Sequence, residues 1–111
     1  METKSVIHVV GVQCQPEVKE KYIKWYHETH IPMLLKFKGI TGVTTYEITE
    51  AKGEYPEFLV IYEFENRQAS EAYETSPELA AAREDARQTF HKVGYEVKWR
   101  VDYECMRSWQ R

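Results

Sequence analysis

YEVKWRVDYE, residues 95–104, decides how this chain folds. Tyr95, Val97, Trp99, Val101 and Tyr103 alternate with Glu96, Lys98, Arg100, Asp102 and Glu104. An apolar row and a charged row at a period of two are the signature of a strand with one buried and one wetted face. The chain therefore closes on a strand, and the preceding elements must supply the sheet that it joins.

Working back from Tyr95, Gly94 is a good helix stop. Before it, Ser76–Pro77–Glu78 has the form of a helix start, with a Ser cap and Pro at the first position. Leu79, Ala82, Ala86 and Phe90 make the apolar stripe of that helix. Asn66 can cap a shorter helix carrying Ala69, Ala72 and Tyr73. FLVIYEF (58–64) reads as a strand, as do residues 43–49, with Tyr46 and Ile48 on one face. The polar loop TEAKGEYPE (49–57) joins the two as a hairpin, and Gly39 and Gly42 bracket the turn that leads in. Tyr46 and Tyr62 are expected in the core.

At the start, SVIHVVGVQC (5–14) is β-branched and reads as a central strand. Pro16 suits the first turn of a helix. At about 100° per residue, Val18, Tyr22, Trp25, Thr29 and Met33 share a stripe, and Lys21, Lys24 and Glu28 face away. Pro32 disfavours helical backbone at Ile31, so this helix is predicted to end near His30.

The order strand, helix, strand, strand, helix, strand is the ferredoxin-like βαββαβ arrangement of the α+β class, expected as one domain over residues 1–111. A four-stranded antiparallel sheet would carry both helices on one face, in the order 4-1-3-2 or its mirror. Strands one and four are then antiparallel neighbours. Cys14 and Cys105 fall at opposite ends, about 30 Å apart at the rise of a strand, so no internal disulfide is expected. Strands one and three are apolar on both sides: Ile7 and Val9 back Val6, Val10 and Val12, and Leu59 and Ile61 back Phe58, Val60, Tyr62 and Phe64. Helices cover only one of those faces. The second needs another sheet, which makes the expected partner a second copy, a homodimer joined through the sheet face.

The 18 acidic and 15 basic residues are interspersed and leave a net charge of −3. That balance lacks the basic stripe of a nucleic-acid binder, and FLVIYEF lacks the basic and glycine residues of the RNA-binding ferredoxin-like motif. No apolar run reaches membrane-spanning length, and the first residues lack the long apolar segment of a secretory signal, so a cytoplasmic protein is expected. The two cysteines have no metal-type spacing. No phosphate loop, nucleophile elbow or HExxH is present, and no cofactor is assigned.

Trp25, Tyr26, Glu28, His30, Ile31 and Pro32, followed by the Gly39 turn, resemble the EthD-like family. So does YEFENRQASEAYETSPELAAAREDA (62–86), with its phenylalanine-ending strand, short helix and Ser-Pro helix start. The resemblance spans roughly residues 5–105. That family belongs to the dimeric α/β-barrel superfamily of ferredoxin-like folds. It implies a homodimer with facing sheets and a small-molecule cleft between the helices and sheet of each subunit. The superfamily's activities include polyketide cyclisation, lactone isomerisation and haem-degrading or quinone-forming oxygenation. His8 and Tyr73 resemble the catalytic histidine and tyrosine positions of plant polyketide cyclases of the olivetolic acid type. Those enzymes carry a second histidine after the proline, where this chain has Glu78 and Leu79.

Four histidines compete for a role. His8 shares a strand face with Val6 and Val10, which suits either a structural histidine or a cleft acid/base. His30 lies about 90° from the centre of the helical stripe, beside Ile23 and Tyr26, and is either a helix-end cation or a site residue. His27 points about 150° away, toward solvent, so His27 and His30 make a poor metal pair and no metal site is assigned. His91 suits the dipole at the end of its helix better than a haem iron. The expected catalytic set is His30, His8 and Tyr73. Trp25, Tyr26 and Tyr46 are the expected substrate-binding residues for a small aromatic or polyketide-like ligand.

Overall fold

The computed structural model describes residues 4–90 and 94–111. The role expected of His91 lies outside the described residues. Four strands form one antiparallel sheet: β1 (Val6–Cys14), β2 (Ile40–Glu47), β3 (Phe58–Phe64) and β4 (Tyr95–Glu104), in the order β2-β3-β1-β4. This is the expected order, read from the other edge of the sheet. The helices are α1 (Lys19–Trp25), α2 (Ile31–Leu34), α3 (Arg67–Glu74) and α4 (Pro77–Phe90). They pack on one face of the sheet. Tyr22, Trp25, Leu34, Tyr73, Leu79 and Phe90 from the helices meet Val10, Val12, Phe58, Val60, Tyr62 and Phe64 from the strands in one core. The two free cysteines lie at opposite ends of β1, Cys14 in the strand and Cys105 where its backbone N–H donates to the Ser5 carbonyl.

The two predicted caps form. The Asn66 side chain accepts from the Ala69 N–H at 2.8 Å, and the Ser76 hydroxyl accepts from the Leu79 N–H at 3.2 Å. Each satisfies a donor that the first helical turn would leave unpaired.

Three expectations change. The first helix does not stop near His30. Between α1 and α2 the chain makes one π turn, Tyr26–His30, in which the Ile31 N–H reaches the Tyr26 carbonyl five residues back. The wider turn accommodates Pro32, whose missing N–H and bulky ring disrupt ordinary i−4 pairing, and helix continues to Leu34. Trp25 and Tyr26, where this turn begins, are both buried, and His30, where it ends, is half-buried. His27 stays exposed as expected, with Nε2 3.1 Å from the Thr45 hydroxyl.

The second change is in the stretch 95–104. Gly11 pairs with Trp99, but Val12 pairs with Val97, leaving Lys98 as an extra residue. This β-bulge inverts the alternation halfway along β4. Tyr95 and Val97 face the helices. Beyond the bulge, Arg100 lies opposite Val10 and Asp102 opposite His8, on the helix side, while Trp99, Val101 and Tyr103 lie on the other face. Trp99 crosses over Gly11, where an added Cβ would sit 2.9 Å from its ring, so the indole needs a glycine beneath it. The single buried apolar row expected from the sequence is thus split between the two faces.

Third, Tyr46 is not a core residue. It pairs with Leu59 on the face away from the helices and is 51% exposed, whereas Tyr62 is buried as expected. β2 also begins at Ile40 rather than residue 43, with a register irregularity between Ile40 and Gly42. Among the described residues no helix is long and apolar enough to cross a membrane.

Candidate functional site

Helix–sheet packing leaves a cavity of about 260 Å³ on the helix side of β1 and β4. His8, His30, Tyr73, Trp25 and Tyr26 all line it. Five of the six residues expected at a site therefore meet in one place. The sixth, Tyr46, stands on the opposite sheet face, because its strand parity matches Leu59 and not Phe58 or Val60.

Each side chain reaches the cavity for a local reason. His8 points inward by the same parity as Val6 and Val10, and it is 8% exposed. Its Nδ1 lies 2.5 Å from the Asp102 carboxylate on β4. That contact exists because the bulge turned Asp102 onto the helix side. Tyr73 arrives from the last turn of α3, its ring 6.3 Å from His8 and 5.1 Å from Phe64. His30 enters from the π turn, between Trp25 at 4.7 Å and Tyr26 at 4.8 Å, ring centre to ring centre. The Trp25 indole N–H donates to Asp85 of α4 at 2.7 Å. The Tyr26 and Tyr62 hydroxyls bond each other at the cavity wall.

Among the described residues, two buried polar atoms have no hydrogen-bond partner: the Tyr22 hydroxyl and His30 Nδ1. Both residues line the cavity. A buried polar atom without a partner costs about 1–3 kcal/mol, so these two mark where a ligand group or water would be stabilised.

Burial sets the protonation states. It is the largest cause holding the His30 imidazole down, to about 4; Asp85 opposes it, and Arg100 and Arg83 reinforce it. His30 is therefore neutral at pH 7. Burial likewise pushes the Tyr73, Tyr26 and Tyr62 hydroxyls above the usual phenol range, which keeps them protonated. The cavity thus presents neutral imidazole at His30 and hydroxyl donors from tyrosine.

This gives a pH prediction. Unfolded His30 takes up a proton near pH 6.5, and folded His30 only near pH 4. The folded state is then at its full relative stability above about 6.5 and loses up to about 3 kcal/mol as pH falls toward 4. Urea midpoints measured from pH 7.5 to 4 should fall for the native chain and fall less for His30→Gln. Parallel profiles would show that His30 does not titrate in this way.

His8, Glu74 and Asp102 also bring potential ligand atoms within 4.8 Å of one another. The short Nδ1–carboxylate contact within the group describes a hydrogen-bonded pair with Glu74 nearby. His27 faces away from the cavity and joins no such cluster among the described residues.

Sequence reading missed Asp102, Asp85, Arg83 and Arg100. Asp85 and Arg83 lie on a helix whose apolar stripe alone was legible. Asp102 and Arg100 were assigned to the wetted row of β4, and only a bulge reverses that.

The chain matches the family model described as "Domain of unknown function (DUF4286)" over residues 5–96. No curated protein matches it in sequence. Solved structures are similar in fold. An ethyl tert-butyl ether D (EthD) family protein from Bacillus halodurans is 17% identical, with TM-score 0.68 over 94% of this chain and 100% of that one. HapK from Hahella chejuensis is 11% identical, with TM-score 0.71 over 96% and 97%. A dimeric ferredoxin-like protein of unknown function from Bacteroides fragilis is 24% identical, with TM-score 0.63 over 91% and 96%. At these identities the likeness establishes the fold, which is the ferredoxin-like fold expected from the order of the elements. With 92 consecutive positions, residues 5–96, inside the family model, the chain belongs to the DUF4286 family.

Proposed function

We propose that this protein is a homodimer that binds a small aromatic molecule in the helix–sheet cavity and moves a proton on it, as a cofactor-free cyclase, isomerase or oxygenase does. The observation that carries the reading is the His8–Asp102 pair. A carboxylate on Nδ1 fixes the imidazole's orientation and stabilises the imidazolium formed when Nε2 takes a proton. In this reading His8 is the general base. Neutral His30 and protonated Tyr73 donate hydrogen bonds to the oxygen of the developing enolate. His30 is assigned this role because a group with pKa about 4 is too weak a base to carry proton abstraction at neutral pH. Tyr22, Trp25, Tyr26, Tyr62 and Tyr95 supply flat walls for an aromatic ring.

The reading is tested with benzoylacetone, an aryl carbon acid without a carboxylate. Saturable acceleration of deuterium uptake at its central carbon, followed by NMR, supports catalysis. Saturable binding with an exchange rate equal to buffer would leave the other reading, a non-catalytic dimeric ligand-binding protein. The weak basicity of His30 favours that second reading.

The dimer is supported by the uncovered sheet face, where Tyr46, Trp99, Val101 and Tyr103 are 51%, 42%, 37% and 58% exposed and border half-buried Ile7, Leu59 and Ile61. An apolar surface of this kind is normally covered. Light scattering should give the mass of two chains, and Trp99→Glu should shift it toward one. A single-chain mass for the unsubstituted protein would remove the dimer.

A further inference from the structure

The cavity's fixed charges are all of one sign. Among the described residues Arg83, Arg87 and Arg100 line it and no Asp or Glu does, in a chain whose net charge is −3. Of the nearby carboxylates, Asp102 is held by His8 and Asp85 by the Trp25 indole, while Glu74 lies beside the His8–Asp102 pair, outside the lining, and opposes the arginines at Tyr73. Arg87 is engaged as well, with Nε 3.0 Å from Glu84. Arg83 and Arg100 have no ion-pair partner among the described residues. They approach from opposite walls, α4 and β4, and the charges of both are felt at His30 and at Tyr73.

Arg100 is in the cavity only because of the bulge at Lys98. Without it, strand parity would turn the guanidinium to the outer sheet face. A bulge that re-aims a side chain in this way is a frequent companion of binding sites.

We infer that Arg83 and Arg100 form an anion-binding clamp at the rim of the cavity, and that the ligand class is a one- or two-ring aromatic carboxylate. This rests on the proposed small-molecule cavity and specifies its ligand. Arginine suits the task because its planar donor fork matches a carboxylate and stays charged at any working pH. The size follows from the volume. A dry cavity of about 150 Å³ accepts benzene, and drug-sized ligands use about 300–1,000 Å³. The 260 Å³ here lies between the two. The aromatic walls take the rings, and the rim takes the charge.

The test uses full-length protein and two probes of equal shape, 1-naphthoate and neutral 1-naphthalenemethanol, titrated by calorimetry and by quenching of tryptophan emission. Naphthoate should bind at least about tenfold tighter than the alcohol. Arg100→Gln and Arg83→Gln should each weaken naphthoate about tenfold or more and change the alcohol less than about twofold. Both side chains are exposed in the free protein, so neither variant should disturb folding, which near-UV circular dichroism checks. Lys24→Gln, a charge removed from the exposed side of α1, controls for long-range field and should change neither probe. Equal affinity for acid and alcohol overturns the clamp and leaves the cavity reading intact. So does naphthoate binding that survives both arginine substitutions, or that falls equally with Lys24→Gln. Failure of both probes to bind overturns the clamp and the cavity reading together.

Discussion

His8→Gln is expected to lower protein-catalysed deuterium exchange in benzoylacetone by about 10²–10⁴-fold, the range over which a positioned general base contributes. The substitution is nearly isosteric, and it strands no buried charge, because the Asp102 side chain is 48% exposed. The loss should therefore appear in kcat without an equivalent loss of stability or of ligand affinity. Asp102→Asn separates orientation from chemistry. Asp102 touches Nδ1 and does not line the cavity. It acts through His8, so its removal should shift the pH profile of exchange and cost less than loss of the imidazole itself. Exchange in His8→Gln within threefold of the native rate would show that His8 is not the base.

Phe64→Ala is expected to cost about 3–5 kcal/mol, the range for emptying a buried aromatic site. Phe64 is fully buried, with 0% exposure, at the end of β3, and it packs against Tyr73. For a domain of about 100 residues each kcal/mol moves Tm by roughly 4–8 °C, so a fall of at least about 12 °C should be seen by calorimetry. Total stability of such domains is only about 5–15 kcal/mol, so a sizeable unfolded fraction at 37 °C is also expected. A fall below about 5 °C would mean that the neighbours collapse into the space. Because Phe64 supports the ring of Tyr73, what folds should also bind aromatic probes more weakly.

Where the sequence expressed a local rule, it was legible. Caps at Asn66 and Ser76 depend on one side chain and a nearby N–H, and both formed. The βαββαβ order and the apolar second sheet face followed from residue patterns within single elements. His8, His30, Tyr73, Trp25 and Tyr26 could be named because strand parity and helical angle place side chains on a face, and those five share a cavity.

Apart from the facing of Tyr46 on β2, what was lost lay in two irregularities of one residue each. A period of two or of 3.6 assumes that no residue is added, yet β4 adds Lys98 and the turn after Trp25 runs as π. Neither defect has a composition of its own. Each is favoured by what it gains in three dimensions: the indole of Trp99 over Gly11 and Asp102 against His8 in one case, and helix carried past Pro32 in the other. The sequence by itself determined which elements form, their order and the surplus of apolar surface, because these depend on neighbours along the chain. Tertiary structure alone decided that Arg100 and Asp102 face the cavity, because the facing of a strand residue after a bulge depends on register with a partner strand about 90 residues away, and that Tyr46 does not, because its register with β3 sets it opposite Leu59 on the outer face.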